Sequence, residues 1–121
     1  MDKLSVLVID DSPQIREFVV EYILKPNGFE VDVAKDGAEG LKKVLAAKPD
    51  LVLMDLKLPV MDGFEAIRHM KSINRKIPVI VQSAYVMADQ KEKAFNCGCN
   101  DFVSKPIDRL RFLTTISTHI L

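Results

Sequence analysis

The chain lacks net charge: seventeen Lys plus Arg face seventeen Asp plus Glu. That balance leaves no long-range field to attract nucleic acid or an anionic membrane, so direct partners of either kind are not expected and any charged function must be local. Long apolar runs are missing too, and none approaches the ~18 residues of a membrane span. The opening Met-Asp-Lys-Leu carries no basic stretch followed by an apolar run, which predicts a cytoplasmic protein. Cysteine is scarce. Cys97 and Cys99, separated by one glycine, are too close for a structural disulfide and too few for a zinc site, so they read as reduced, non-catalytic thiols. No G-x-x-x-x-G-K-[ST] or G-x-G-x-x-G follows the first apolar run, and no repeated L-x-x-L-x-L frame is present, which excludes a phosphate-cradling nucleotide enzyme and a leucine-rich solenoid.

What is present is one domain's worth of apolar residues: 121 residues, 48% hydrophobic and 28% charged, without linker or low-complexity tract, predict one domain over 1–121. Five β-branched runs stand out, at Leu4 to Ile9, Glu30 to Ala34, Leu51 to Met54, Pro78 to Gln82 and Asp101 to Ser104. Helical periods lie between them. Ser12 and Pro13 start the first helix, whose stripe is Ile15, Phe18, Val19, Tyr22 and Ile23. Asp36 with Glu39 and Asp62 with Glu65 form capping-box-like starts for the second, through about Ala47, and the third, through about Ser72. A fourth spans about Ala88 to Cys97 and ends at Gly98. The fifth runs from about Asp108 toward Leu121 with Leu110, Leu113, Ile116 and Ile120 inward. This βα alternation, with continuously apolar runs one, three and four, predicts an α/β doubly wound five-stranded parallel sheet, flavodoxin-like in order 2-1-3-4-5, with helices on both faces.

In such a sheet ligands bind beyond the carboxyl ends of the strands. Strand one runs into Asp10 and Asp11 and strand three into Asp55, so three carboxylates converge on one edge. That clustering is costly unless a cation joins it, and a hard divalent ion such as Mg²⁺, or Mn²⁺, suits oxygen ligands. Ser83 after strand four and Lys105 after strand five add a hydroxyl and an ammonium. Three carboxylates, one ammonium and one divalent ion sum to about zero charge, a balance that tolerates the added negative charge of a phosphoryl group. Asp10 and Asp11, with Ser12, have a plainer reading as the start of a helix and Asp55 as a turn acid, but all five site residues coinciding at strand ends favours a site.

At these residues the chain resembles the response-regulator receiver domain of bacterial two-component systems. The resemblance rests on Val8-Ile9-Asp10-Asp11-Ser12, on Leu53 through Gly63, and on Ser83-Ala84 with Lys105-Pro106-Ile107. It implies Asp55 as phosphoacceptor, Asp11 as a direct Mg²⁺ ligand, Asp10 as a ligand through water and the Lys57 carbonyl as a further ligand. Ser83 and Lys105 would hold phosphoryl oxygens, with Ser83 and Phe102 the switch pair and Lys105-Pro106 a cis bond. Serine for the more frequent threonine loosens a rotamer, and Phe102 for tyrosine drops a phenolic hydrogen bond. The implied protein is a phosphoacceptor without external substrate turnover, served by a sensor histidine kinase or histidine phosphotransfer domain. Its helix 4, strand 5 and helix 5 surface would change on phosphorylation and could form a homodimer, with Val86 and Met87 exposed beside it. Lys57 and Tyr85 would screen the phosphoryl group from water and lengthen its lifetime. The segments Ala84 to Asp89 and Asn96 to Asp101 are similar to receivers attached to hybrid histidine kinases. A haloacid-dehalogenase-type phosphatase would need an Asp at the position of Lys57, and a degenerate interaction domain would lack one of the site residues. Met61, Asp62 and Gly63 read as a supporting turn, Met54 and Phe64 as core, and His69 and His119 as surface residues away from the crevice.

Overall fold

A computed structural model of the chain describes residues 3–56, 61–84 and 87–120. Five parallel strands, β1 (Ser5–Ile9), β2 (Glu30–Ala34), β3 (Leu51–Asp55), β4 (Val79–Ser83) and β5 (Asp101–Ser104), form one sheet in the order β2-β1-β3-β4-β5. The helices between and after them are α1 (13–27), α2 (Gly37–Ala47), α3 (Gly63–Ile73), α4 (Ala88–Cys97) and α5 (Arg109–Ile120). The expected order and alternation are observed, with strand limits displaced by one residue at β1, β3 and β4.

The pleat divides the core in two. Leu7, Ile9, Val52, Met54, Val79 and Val81 pack with α2, α3 and α4, while Val6, Val8, Leu51, Leu53, Ile80 and Val103 pack with α1 and α5. Met61 and Phe64 are partly buried against the first layer. Covering both faces is what lets β3 and β4 be buried along their whole length.

Helix α1 departs from the expected stripe. Ser12 accepts from the Ile15 N–H, as its position predicts, but Phe18 and Tyr22 face outward and Val20 and Leu24 take inward places. Within α1 the turns over Phe18–Leu24 are wider, closed by bonds such as Lys25 N–H to the Val20 carbonyl, and Lys25–Asn27 tightens into a last turn before Gly28. The wider winding accommodates Pro26, whose ring would strike the Tyr22 carbonyl in an ordinary α-helix, and it turns the buried face toward Val20 and Leu24. Gly28 lies at φ 88°, where a side chain would be strained.

Helix α5 also corrects the expected face. Leu110 is 76% exposed, whereas Phe112 is fully buried and Ile116 is 1% exposed. Positions 112, 116 and 120, with Leu113, define the inward stripe, and Leu110 falls outside its arc. Asp62 accepts from the Phe64 N–H rather than that of Glu65, so α3 begins with a shorter cap than a capping box. Asp36 does cap α2 through the Glu39 N–H, and Gly98 closes α4 at φ 114°.

At the sheet's outer strands, side chains take up some of the outward backbone groups. Glu30 donates to Leu4 and Ala34 accepts from Asp10, so Val33, of the other parity, turns its backbone outward. Its N–H donates to Asp32 Oδ1 and its carbonyl accepts from Lys43 Nζ, which also pairs with Asp32 at 2.9 Å. At the opposite edge the outward Phe102 N–H donates to Asp101 Oδ1, and Asp101 Oδ2 lies 2.9 Å from His119 Nε2. His119 is therefore not a plain surface residue: the last turn of α5 brings it back, half-buried, onto the start of β5. His69 is exposed, beside Glu65.

Candidate phosphoacceptor site

Because all five strands are parallel, their carboxyl ends share one edge, and β1 and β3 are neighbours at the switch in strand order. Ile9 pairs with Met54 and Asp55 with Gln82 in register, which brings the residues following β1 level with the end of β3. One carboxylate oxygen each of Asp10, Asp11 and Asp55 lies within 4.8 Å of the others. Asp10 and Asp55 are buried and Asp11 is exposed, so the cluster opens to solvent on one side.

Lys105 joins it from β5. Its backbone N–H donates to the Ser83 carbonyl at 2.8 Å, extending the ladder past the strand end, and the Lys105–Pro106 peptide is cis, as the resemblance implied. Nζ lies 3.0 Å from Asp10 Oδ2 and 3.0 Å from Asp55 Oδ2. Burial alone would lower the ammonium's pKa, but hydrogen bonds and charge from Asp10 and Asp55 outweigh it and hold the pKa above the ordinary lysine value.

Asp10 is the most constrained of the acids. Its Oδ1 accepts from the Ser12 N–H at 2.9 Å, its Oδ2 accepts from Lys105 and from Gln82 Nε2 at 3.2 Å, and its carbonyl accepts from Arg16 Nη1. Sequence reasoning missed both Gln82 and Arg16. Arg16 sits one helical turn and a half past Asp10 and could have been suspected from that spacing; Gln82, 72 residues away, could be suspected only as a polar residue within an apolar run. Ser83 is buried at the end of β4, and Phe102 is partly buried against the α2, α3 and α4 layer. Behind Asp55, Gly63 donates to the Leu56 carbonyl at 3.2 Å, and a Cβ at this position would come within 2.7 Å of the Leu56 backbone. Lys57, Tyr85 and Val86, which carried expectations about metal ligation, hydrolysis and the partner face, lie outside the described residues; Met87 is exposed just before α4.

Chemically, the arrangement is a set of clustered hard oxygen donors with one ammonium among them. It fits a small divalent cation, because three carboxylate oxygens can converge on one ion while Lys105 offsets only one of the three charges. A doubly wound sheet with paired acids after β1, a third at the end of β3 and a lysine after β5 is the arrangement that the receiver resemblance implied.

The comparisons with known proteins agree. The family model for the response regulator receiver domain matches residues 6–117, and the chain belongs to that family. The polar-differentiation response regulator DivK of Brucella anthropi is 31% identical over 118 residues, covering 96% of this chain and 95% of DivK. The sensor protein EvgS of Escherichia coli K12 is 35% identical over 119 residues, covering 98% of this chain but 10% of EvgS. Among solved structures, the Vibrio cholerae chemotaxis protein CheY4 superposes with a TM-score of 0.90 at 30% identity, covering 99% of this chain and all of that one. The chain spans between 10% and 29% of the length of the first curated relatives it matches. As a receiver domain of response regulators, it has the two-component phosphoacceptor function of that family.

Proposed function

We propose that the chain, as one receiver domain over 1–121, accepts a phosphoryl group on Asp55 from the phosphohistidine of a sensor histidine kinase or histidine phosphotransfer domain. The observation that carries this reading is Lys105 Nζ at 3.0 Å from both Asp10 and Asp55 within a three-carboxylate cluster. An Asp55 carboxylate oxygen attacks phosphorus, the P–N bond breaks with its electron pair going to the imidazole, and the imidazole recovers a proton from solvent. Asp11, Asp55, Asp10 through water and the Lys57 carbonyl would hold Mg²⁺. When bound, the ion supplies charge neutralisation at the transferring oxygens. Lys105 follows the charge from the carboxylate to the phosphoryl oxygens, and the Ser83 hydroxyl donates to another of them.

Movement of Ser83 toward the phosphoryl group lets Phe102 pack further inward, which biases the surface made by α4, β5 and α5 between two packings. A partner, or a second copy of the chain, reads that surface. The domain turns over no external substrate; its only reactions are its own phosphorylation and dephosphorylation. A cytoplasmic location goes with this reading, since the free thiols Cys97 and Cys99 suit a reducing compartment, and among the described residues no helix is long and apolar enough to cross a membrane. The test is mass spectrometry after treatment with acetyl phosphate and Mg²⁺. One phosphoryl group added to the parent and none to Asp55→Asn is expected; phosphate retained by Asp55→Asn overturns the assignment.

A further inference from the structure

Gln82 stands on β4 one residue before Ser83, fully buried in a strand otherwise built of valine and isoleucine up to that serine. Its amide is half-used. Nε2 donates to Asp10 Oδ2 at 3.2 Å, while Oε1 has no hydrogen-bond partner among the described residues. A buried amide oxygen without a partner is costly, and an apolar side chain of the same shape would avoid that cost. The orientation of the amide is also fixed by electrostatics: reversed, it would set two acceptor oxygens against each other at the same distance. The structure therefore retains a half-satisfied polar group whose amide donor is aimed at Asp10.

Asp10 Oδ2 has a second donor, Lys105 Nζ, and that donor is shared with Asp55 at equal distance. Phosphorylation of Asp55 draws the ammonium toward the new phosphoryl oxygens. Asp10 is completely buried, so an Oδ2 released by Lys105 keeps a protein donor, among the described residues, in Gln82 Nε2. We infer that Gln82 is a positioning residue that keeps Asp10 hydrogen-bonded and correctly aimed when Lys105 transfers from Asp10 to the phosphoryl group. The inference rests on the receiver reading. It assigns Gln82 a role in the phosphorylated state in particular, because before phosphorylation Lys105 already serves the same oxygen.

The test compares the parent with Gln82→Met, which keeps the length and removes the amide, and with Gln82→Glu, which keeps the shape and replaces the donor by an acceptor. Mg²⁺ alone, and beryllofluoride in the presence of Mg²⁺ as a phosphoryl mimic, are titrated by NMR, with thermal melting as a check on folding. In Gln82→Met, Mg²⁺ affinity stays within about threefold of the parent while beryllofluoride affinity falls roughly tenfold or more, the scale expected for stranding a buried acceptor. Gln82→Glu loses at least as much. Beryllofluoride binding by folded Gln82→Met at the parent's affinity overturns the inference, and so does a parallel loss of Mg²⁺ affinity, which would mean that the whole carboxylate cluster had shifted. If Gln82→Met lacks a cooperative melt, Gln82→Leu is measured in its place against the same outcomes. Failure of the parent itself to bind beryllofluoride with Mg²⁺ instead sinks the proposed phosphoryl transfer to Asp55, so the two failures are distinct.

Discussion

Lys105 Nζ and Asp55 Oδ2, from strands at the edge and centre of the sheet, meet at 3.0 Å, and the same nitrogen is equally near Asp10. A cation so placed competes with any metal drawn to the carboxylates. Lys105→Ala should therefore bind Mg²⁺ at least as tightly as the parent in a calorimetric titration, yet fail to transmit phosphorylation to α4, β5 and α5. Weaker Mg²⁺ binding would show that the ammonium organises the acids more than it repels the ion.

The metal and phosphoryl roles of the acids separate by substitution. Asp11→Ala removes the exposed acid of the cluster and should lower Mg²⁺ affinity by at least about tenfold, while leaving the melting temperature unchanged or higher because like charges are thinned. Undiminished Mg²⁺ affinity in this variant removes Asp11 from the ligand set.

Gly63→Ala tests the support behind Asp55. The added methyl would meet backbone rather than a movable side chain, 2.7 Å from both the Cα and the carbonyl oxygen of Leu56. A loss of about 1–3 kcal/mol in urea unfolding is expected, together with weaker Mg²⁺ binding as the Asp55 loop shifts. Parent-like values for both would mean the loop has room that the geometry denies.

The two faces of α5 give a contrast in stability. Phe112→Ala should cost about 3–5 kcal/mol, whereas Leu110→Ala should stay within about 0.5 kcal/mol. The reverse ranking in denaturant melts would restore the stripe expected from the sequence.

Burial pushes the Cys99 thiol up to about 11, with Asp101 and Cys97 adding to the effect. Its folded pKa lies above its unfolded value, so the neutral thiol is favoured by folding and the associated stability is lost as pH rises from about 9 toward 11. Relative to Cys99→Ala, the parent should lose stability over that window, and native Cys99 should resist alkylation at pH 8 while the urea-unfolded chain reacts. Equal alkylation rates in the two states would contradict the burial argument.

The strand order and the convergence of Asp10, Asp11, Asp55 and Lys105 were legible because each follows a short apolar run, and parallel strands put all such positions on one edge. What escaped was set by phase and by distant partners. Leu110 and Phe112 differ by two positions, an offset that apolar spacing alone resolves poorly in a helix rich in both apolar and polar residues. Phe18 and Tyr22 were misplaced because the wider turns of α1 break the period on which the stripe was counted. His119 on Asp101 and Gln82 on Asp10 depend on residues 18 and 72 positions away, which no local pattern encodes.

The occupied backbone groups at the sheet's margins bear on how this molecule can associate. With Asp32 and Lys43 closing the backbone of Val33, and Asp101 closing the N–H of Phe102 under His119, an incoming strand finds these edge hydrogen-bonding groups already taken. At Val33 and at Phe102, strand addition, the route to fibrils and irreversible polymers, therefore meets backbone groups that are already occupied.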